Sequence, residues 1–196
     1  MLKIGITGGI GSGKSTVSKI FETLNIPVFY ADDRAKTLMV TNNALIADIK
    51  EQFGNEAYNA DGNINREYIS NIVFKDEEKR NLLNNLVHPK VSEDFDQWLP
   101  QQESNYVIEE AALLYESGSY KKLDKIIVVS ADEDLRIKRI IARDNCTIEK
   151  VRSIINAQMN EAEKVQRADF IIDNNEKQLV IPQVLKFHEE LLALAI

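Results

Sequence analysis

The 196-residue sequence is poor in the residues that build covalent or metal-based scaffolds. Cys146 is its only cysteine, and His88 and His188 are its only histidines. No intramolecular disulfide can therefore form, no cysteine cluster can hold a metal, and no zinc-ligand spacing exists. No apolar run reaches the ~18 residues of a membrane span, so no membrane partner is expected. The chain opens at once on a strand-like run with no room for a signal peptide, and a reducing cytoplasm is the expected location. Positive charge is in deficit: 24 Lys and Arg stand against 31 Asp and Glu, a net charge of −7. Broad nucleic-acid binding needs a basic face, so no nucleic-acid partner is expected, although a local basic cleft for a small anion stays compatible. Repeats, low-complexity stretches and long linkers are absent too. What remains, 44% hydrophobic and 28% charged residues, is the make-up of a soluble globular protein, and 196 residues fit one ordinary α/β domain that can bury a full core.

Apolar bursts suited to buried parallel strands recur at Leu2–Ile6, Ile26–Tyr30, Tyr106–Ile108, Lys125–Ser130 and Phe170–Ile172. Helical patterns lie between most of them, at Ser15–Leu24, at Leu135–Arg143, and from Pro182 to Leu194 after the last. Pro182 suits a first helical position, and Val184, Leu185, Phe187, His188, Leu191 and Leu192 form one stripe behind it. The expected fold is a doubly wound α/β domain with a five-stranded parallel sheet flanked by helices. The stretch from about Ala44 to Pro100 breaks the alternation. It carries turn signals at Asn59-Ala60-Asp61-Gly62-Asn63 and otherwise reads as helices over Leu45–Phe53, Arg66–Phe74 and Asp76–Trp98. That is far more chain than a crossover needs, so a helical insertion that receives a substrate is expected, with a purely structural cap as the alternative.

One motif carries the chemistry. Residues 8–15 read Gly-Gly-Ile-Gly-Ser-Gly-Lys-Ser, a complete G-x-x-x-x-G-K-S loop between a strand and a helix. Glycines let consecutive backbone N–H groups point at phosphate oxygens, and the new helix adds the positive end of its dipole. Lys14 can reach the terminal phosphates, and the Ser15 hydroxyl can sit on Mg²⁺. A nucleoside triphosphate is the expected ligand.

Further candidates follow the later strands. Asp32, after Tyr30, sits where a carboxylate can accept a proton from a substrate hydroxyl, or where it simply caps the next helix; Asp33 reads as a cap. Glu109 and Glu110 end the third strand, as a Walker B acid oriented on Mg²⁺ or, the slightly favoured reading, as a solvated strand end. Arg136, Arg139 and Arg143 share a helix face that can clamp phosphates, with Asp132, Glu133, Asp134 and Asp144 offering the alternative of a salt-bridged surface helix. Cys146 to Lys164 reads as a polar helical pair able to close as a lid. His88-Pro89 ends a helix-like run, and alone His88 says little.

Taken together, the motifs resemble the dephospho-CoA kinase family. They are Thr7 to Thr16, Ala31-Asp32, Asp61-Gly62 with Arg66, Val73-Phe74, Val87-His88-Pro89, Leu113-Leu114-Tyr115-Glu116, Arg139 with Arg143-Asp144, Ala157-Gln158, and Ala168 through Asn174. They run in family order over nearly the full chain. The resemblance implies ATP-dependent phosphorylation of the ribose 3′-hydroxyl of dephospho-CoA, with Mg²⁺; a monomer or small homo-oligomer is expected. It implies Asp32, Lys14 and Arg139 as catalytic residues, and Gly11, Ser12, Gly13, Lys14, Ser15, Thr16, Arg143 and Asn174 at ATP, with Asn174 beside the adenine. Asp32, Arg66, His88 and Arg139 would contact the substrate, and Ser15 the metal. It divides the chain into a nucleotide-binding core over 1–40, 101–145 and 165–196, a CoA-binding insertion over 41–100 and a lid over 146–164. Tyr30, Glu110 and Ala112 depart from the family's usual Asp, Asp and Pro, and none of these changes removes a reacting group. The alternatives are a nucleoside monophosphate kinase and, less favoured, a nucleotide-dependent switch. Asn174-Asn175-Glu176-Lys177 is not the Asn-Lys-x-Asp motif that guanine switches carry.

Overall fold

The β-branched runs form the strands β1 (Leu2–Thr7), β2 (Val28–Tyr30), β3 (Tyr106–Glu110), β4 (Lys125–Ser130) and β5 (Phe170–Asp173) in a computed structural model that describes residues 1–195. Ile196, the last residue of the expected core segment 165–196, lies outside the described residues. The strands form one parallel sheet in the order β2-β3-β1-β4-β5. Their carboxyl ends lie in register: Glu110 stands opposite both Ile6 and Tyr30, Thr7 opposite Val128, and Ser130 opposite Asp173. An open parallel sheet binds ligands at this edge, where the strand order reverses around β1.

The chain forms two compact units, one made of Met1–Tyr30 with the stretch from Gln102 onward, the other of Ala31–Gln101. The first contains the whole sheet. The helices α1 (Lys14–Thr23) and α9 (Val180–Leu194) pack on Ile4, Ile6, Tyr106, Ile108, Ile127 and Ile172 through Val17, Phe21, Val184 and Leu191, all fully buried. Strands covered this way read as continuous apolar runs. The α9 helix starts at Val180, so Pro182 stands third rather than first, where its missing N–H is still not needed. Leu185 leaves the expected stripe and is 42% exposed, because it lies about 100° around the helix from buried Val184. In the same unit α6 (Glu133–Asp144) and α7 (Ile148–Asn156) join through Ile137, Ile140 and Val151, with Ile10 of the glycine-rich loop packed against them. Asn145, at φ 47°, turns the chain between them, and Thr147 caps α7 by accepting from Lys150 N–H. The short helix α8 (Glu161–Gln166) follows.

The second unit is helical: α2 (Ala31–Thr41), α3 (Asn43–Phe53), α4 (Arg66–Lys75) and α5 (Glu77–Trp98). Asn42, Asn65 and Asp76 cap the last three through their side chains. Between α3 and α4 the expected turn forms, with Asp61 accepting from the Asn63 backbone and side chain; these bonds hold its carboxyl below the usual range. The α5 helix matches the expected span Asp76–Trp98, with Asp76 as its cap, and so runs through His88-Pro89, where the shorter helix-like run reads as ending. Val87, Val91 and Phe95 continue a buried stripe at four-residue spacing, and that burial outweighs one lost N–H. Arg34 of α2 forms a bidentate ion pair with Asp94 of α5.

Candidate functional site

The glycine-rich loop leaves β1 at Thr7 and enters α1 at Lys14. Gly13, at φ 97°, takes the N-cap position, and its carbonyl accepts from the N–H groups of Thr16 and Val17. Gly11, at φ 79°, lies so close to α6 that a Cβ there would stand 2.7 Å from the Arg136 carbonyl oxygen. The Ser15 and Thr16 side chains are exposed at the helix start, and Ser12 is buried. Lys14 is only 8% exposed, and its Nζ donates to Gly8 O at 3.0 Å. The loop therefore carries its own cation, folded across its mouth, with a hydroxyl at the next residue.

The loop's outward polar atoms are held from several elements. Arg139 of α6 donates to Gly11 O at 3.4 Å and to Asn174 O at 3.0 Å, and pairs with Glu176 at 3.1 Å. The Asn174 amide, just past β5, donates to Ser12 O at 2.7 Å. Gln158, between α7 and α8, accepts from Ile10 N–H at 2.9 Å, and Glu161 accepts from Gly9 N–H at 3.2 Å. Arg136, 5% exposed, lies against Gly9 with a terminal nitrogen 3.7 Å from the Glu161 carboxylate. Lys164 of α8 is completely buried and donates to Ala112 O at 3.2 Å and Glu116 at 3.0 Å, while Glu116 also accepts from Met159 N–H at 2.7 Å. Ala112 O further accepts from Thr7 at 3.4 Å, so the turn that lacks the family's proline is tied down by hydrogen bonds instead.

The structure thus brings Gly11, Ser12, Gly13, Lys14, Ser15, Thr16, Arg139 and Asn174 together. Arg143 is not among the loop's hydrogen-bond partners: it points outward, 65% exposed, and pairs with Asp144, which raises its own pKa and lowers that of Asp144. Asn174 sits on the loop backbone. Glu109 and Glu110 are each 6% exposed, so the solvated strand end favoured by sequence is wrong; β3 is an interior strand and both carboxylates are enclosed. Asp32 and Asp33 lie inside the first turn of α2 rather than at an N-cap, since the helix starts at Ala31 directly after β2. Asp33 accepts from Lys36 at 2.7 Å, a surface contact, and not from a backbone N–H as a cap would. His88, half-buried in α5, has its pKa pushed down by burial, with the charge of Asp32 opposing that shift. Arg66 is exposed as the first residue of α4. Sequence reading missed Glu161 and Lys164. Spaced three apart on a polar helix they look like a surface pair, and no local signal says that each points into protein instead.

A parallel sheet with a glycine-rich phosphate loop after its first strand, a lysine and serine opening the next helix, and an arginine clasping the loop define a P-loop phosphotransferase of the small-molecule kinase class. The sequence profile of the dephospho-CoA kinase family matches residues 2–179. A dephospho-CoA kinase of Bacteroides fragilis is 36% identical over 186 residues, which span 94% of this chain and 90% of that protein. Among solved structures, a Thermus thermophilus protein superposes with a TM-score of 0.82 at 31% identity, covering 98% of this chain and 96% of that one. The dephospho-CoA kinase of Campylobacter jejuni gives 0.71 at 28% identity, covering 99% and 98%. The chain belongs to the dephospho-CoA kinase family, and it is an ATP-dependent kinase.

Proposed function

We propose that this chain transfers the γ-phosphoryl group of ATP to the ribose 3′-hydroxyl of dephospho-CoA, giving coenzyme A and ADP, with the residues named above in the following roles. The observation that carries the reading is the loop itself: residues 8–16 turn into α1 with Lys14 folded across them, on a chain whose family acts on dephospho-CoA. The nucleotide phosphates lie in the loop against its N–H groups and the start of α1. Lys14 exchanges its bond to the Gly8 carbonyl for terminal phosphate oxygens. Arg139 and Asn174 hold the loop's carbonyls outward, which fixes the direction of the opposing N–H groups; Asn174 borders the adenine side, and Arg143 reaches the phosphates only by leaving Asp144.

Asp32, two residues beyond the carboxyl end of β2, aligns the 3′-hydroxyl and accepts its proton as the new O–P bond forms and the bond to the β-phosphate oxygen breaks. Arg66 and His88 bind the substrate's CoA portion. Little covalent work falls to the protein in phosphoryl transfer, so positioning and charge neutralisation supply most of the rate. The residues present suit Mg²⁺: the exposed Ser15 hydroxyl is a hard oxygen ligand at the helix start, and Glu109 and Glu110 lie at the sheet edge. When bound, that ion would neutralise charge between the β- and γ-phosphates. The helical pair over 146–164 acts as the lid that keeps water from the phosphoryl group, with 1–40, 101–145 and 165–196 as the nucleotide-binding core and 41–100 as the CoA-binding insertion. In this reading the chain works in the cytoplasm as a monomer or small homo-oligomer without nucleic-acid or membrane partners; the net charge of −7 argues against broad nucleic-acid binding, and no described helix is long and apolar enough to cross a membrane.

The test is ADP release from ATP and Mg²⁺ with dephospho-CoA, AMP, CMP or UMP as acceptor. Strong stimulation by dephospho-CoA alone is expected. Stimulation by a monophosphate would replace the substrate, and slow hydrolysis unaffected by any acceptor would point to a switch.

A further inference from the structure

Of the three arginines on α6, two are already committed. Arg139 is bonded to backbone carbonyls and Glu176, and Arg143 is turned out to Asp144. Arg136 differs. Its guanidinium lies against the phosphate loop, and a Cβ on Gly9 would stand 1.8 Å from its NH1 atom, so only glycine lets it lie there. It is 5% exposed, and its Nε is buried with no hydrogen-bond partner among the described residues. The Glu161 carboxylate, 3.7 Å from that guanidinium, spends one oxygen on Gly9 N–H, and its other oxygen is likewise buried and unpartnered. A buried ion pair with a spare donor on one side and a spare acceptor on the other is incompletely satisfied, and such groups are costly unless they gain a partner.

We propose that Arg136 is a further phosphate-binding residue of this kinase, held in place and attenuated by Glu161. The buried guanidinium supplies an additional donor and a full positive charge to the nucleotide phosphates at the Gly9 end of the loop. Glu161 is the positioning residue. It sets how much of that charge the nucleotide meets, and it ties the expected lid to the loop through Gly9. The charges decide the sign. A triphosphate entering the loop brings negative charge next to Glu161, so removing the carboxylate's charge strengthens nucleotide binding, whereas removing Arg136 weakens it. A purely structural clasp predicts the opposite for Glu161, because its loss would disorder the loop.

The inference rests on the kinase reading only in that nucleotide binds the loop. The experiment therefore measures ATP and ADP affinity by calorimetry without any acceptor, and separately the KM for ATP and kcat of coenzyme A formation. Arg136→Gln is expected to weaken ADP binding by about 10- to 100-fold, the worth of a hydrogen bond to a charged group. Gly9→Ala pushes the guanidinium aside without demanding an unusual backbone, and is expected to reproduce that loss in a chain that unfolds at the wild-type temperature. Glu161→Gln keeps an acceptor for Gly9 N–H and is expected to tighten ADP about three- to tenfold, less at high salt, where exposed charge is screened. In the Arg136→Gln background that gain should shrink, since the carboxylate acts partly through the arginine. Weaker binding in Glu161→Gln, or unchanged ADP affinity in a folded Gly9→Ala, would overturn the proposal. Failure of wild type to form coenzyme A while these affinities shift as stated would overturn the substrate reading alone.

Discussion

At the residue scale, two side chains are proposed to act directly in the transfer. Lys14 is the loop's own cation, and Lys14→Ala is expected to lower kcat/KM by about 10³-fold or more, as loss of a preorganised charge does, while the fold persists. Asp32→Asn keeps the shape but not the basicity, and a fall in kcat of about 10²- to 10⁴-fold with little change in ATP affinity is expected from steady-state kinetics. Near-normal turnover in that folded variant would remove Asp32 from the proton's path. His88 gives a pH signature. Burial holds its folded pKa below the ordinary 6.5, so just below that pH the unfolded chain binds more protons than the folded one. Stability therefore rises with pH through that window and falls on acidification, and His88→Gln should flatten the slope in urea titrations run below pH 6.5. The loop residues were legible because their roles depend on backbone conformation and spacing, which the sequence states directly. Glu161 and Lys164 were not, because their partners lie far away in sequence, at Gly9, Ala112 and Glu116.

At the element scale, every strand and most helices stand where the apolar periodicity places them, and the differences have local causes. The third strand ends at Glu110 as expected, but its interior position encloses Glu109 and Glu110 rather than leaving them solvated. The α5 helix crosses Pro89 because its packed stripe continues, and α2 begins before Asp32 because β2 turns directly into it. The pair α7–α8 is anchored at its end by Lys164, whose ammonium is fully enclosed by Ala112 O and Glu116. Lys164→Ala leaves that carboxylate and carbonyl without their cation, and a loss of about 2–4 kcal/mol is expected, discounted from a fully buried pair because Glu116 is 22% exposed. Hydrogen exchange should rise first in 146–164, before the sheet opens, if this anchor belongs to the lid rather than to the core. Simultaneous loss of protection in β1 and β4 would contradict that division.

At the scale of the whole molecule, an acidic chain handles a highly anionic pair of substrates by concentrating cations locally. Lys14, Arg136 and Arg139 all lie at one loop, where Glu161 and Glu176 pair with the two arginines and Lys14 turns to the Gly8 carbonyl. The parallel sheet makes this possible by bringing the ends of its strands to one edge in register, so that residues from distant parts of the sequence meet at residues 8–16. The helical unit Ala31–Gln101 is where the chain differs from a bare nucleotide-binding sheet, and Asp32, Arg66 and His88 all belong to it. Its substrate was not legible from periodicity; only the family motifs within it pointed to the CoA portion. What sets this kinase apart from others of its fold is the product it makes, and that product can be identified outright. After turnover with ATP, Mg²⁺ and dephospho-CoA, mass spectrometry and phosphorus NMR should find one added phosphoryl group, on the ribose 3′ oxygen, in amounts equal to the ADP formed. Inorganic phosphate with unchanged dephospho-CoA, or phosphorylation at any other position, would contradict the account.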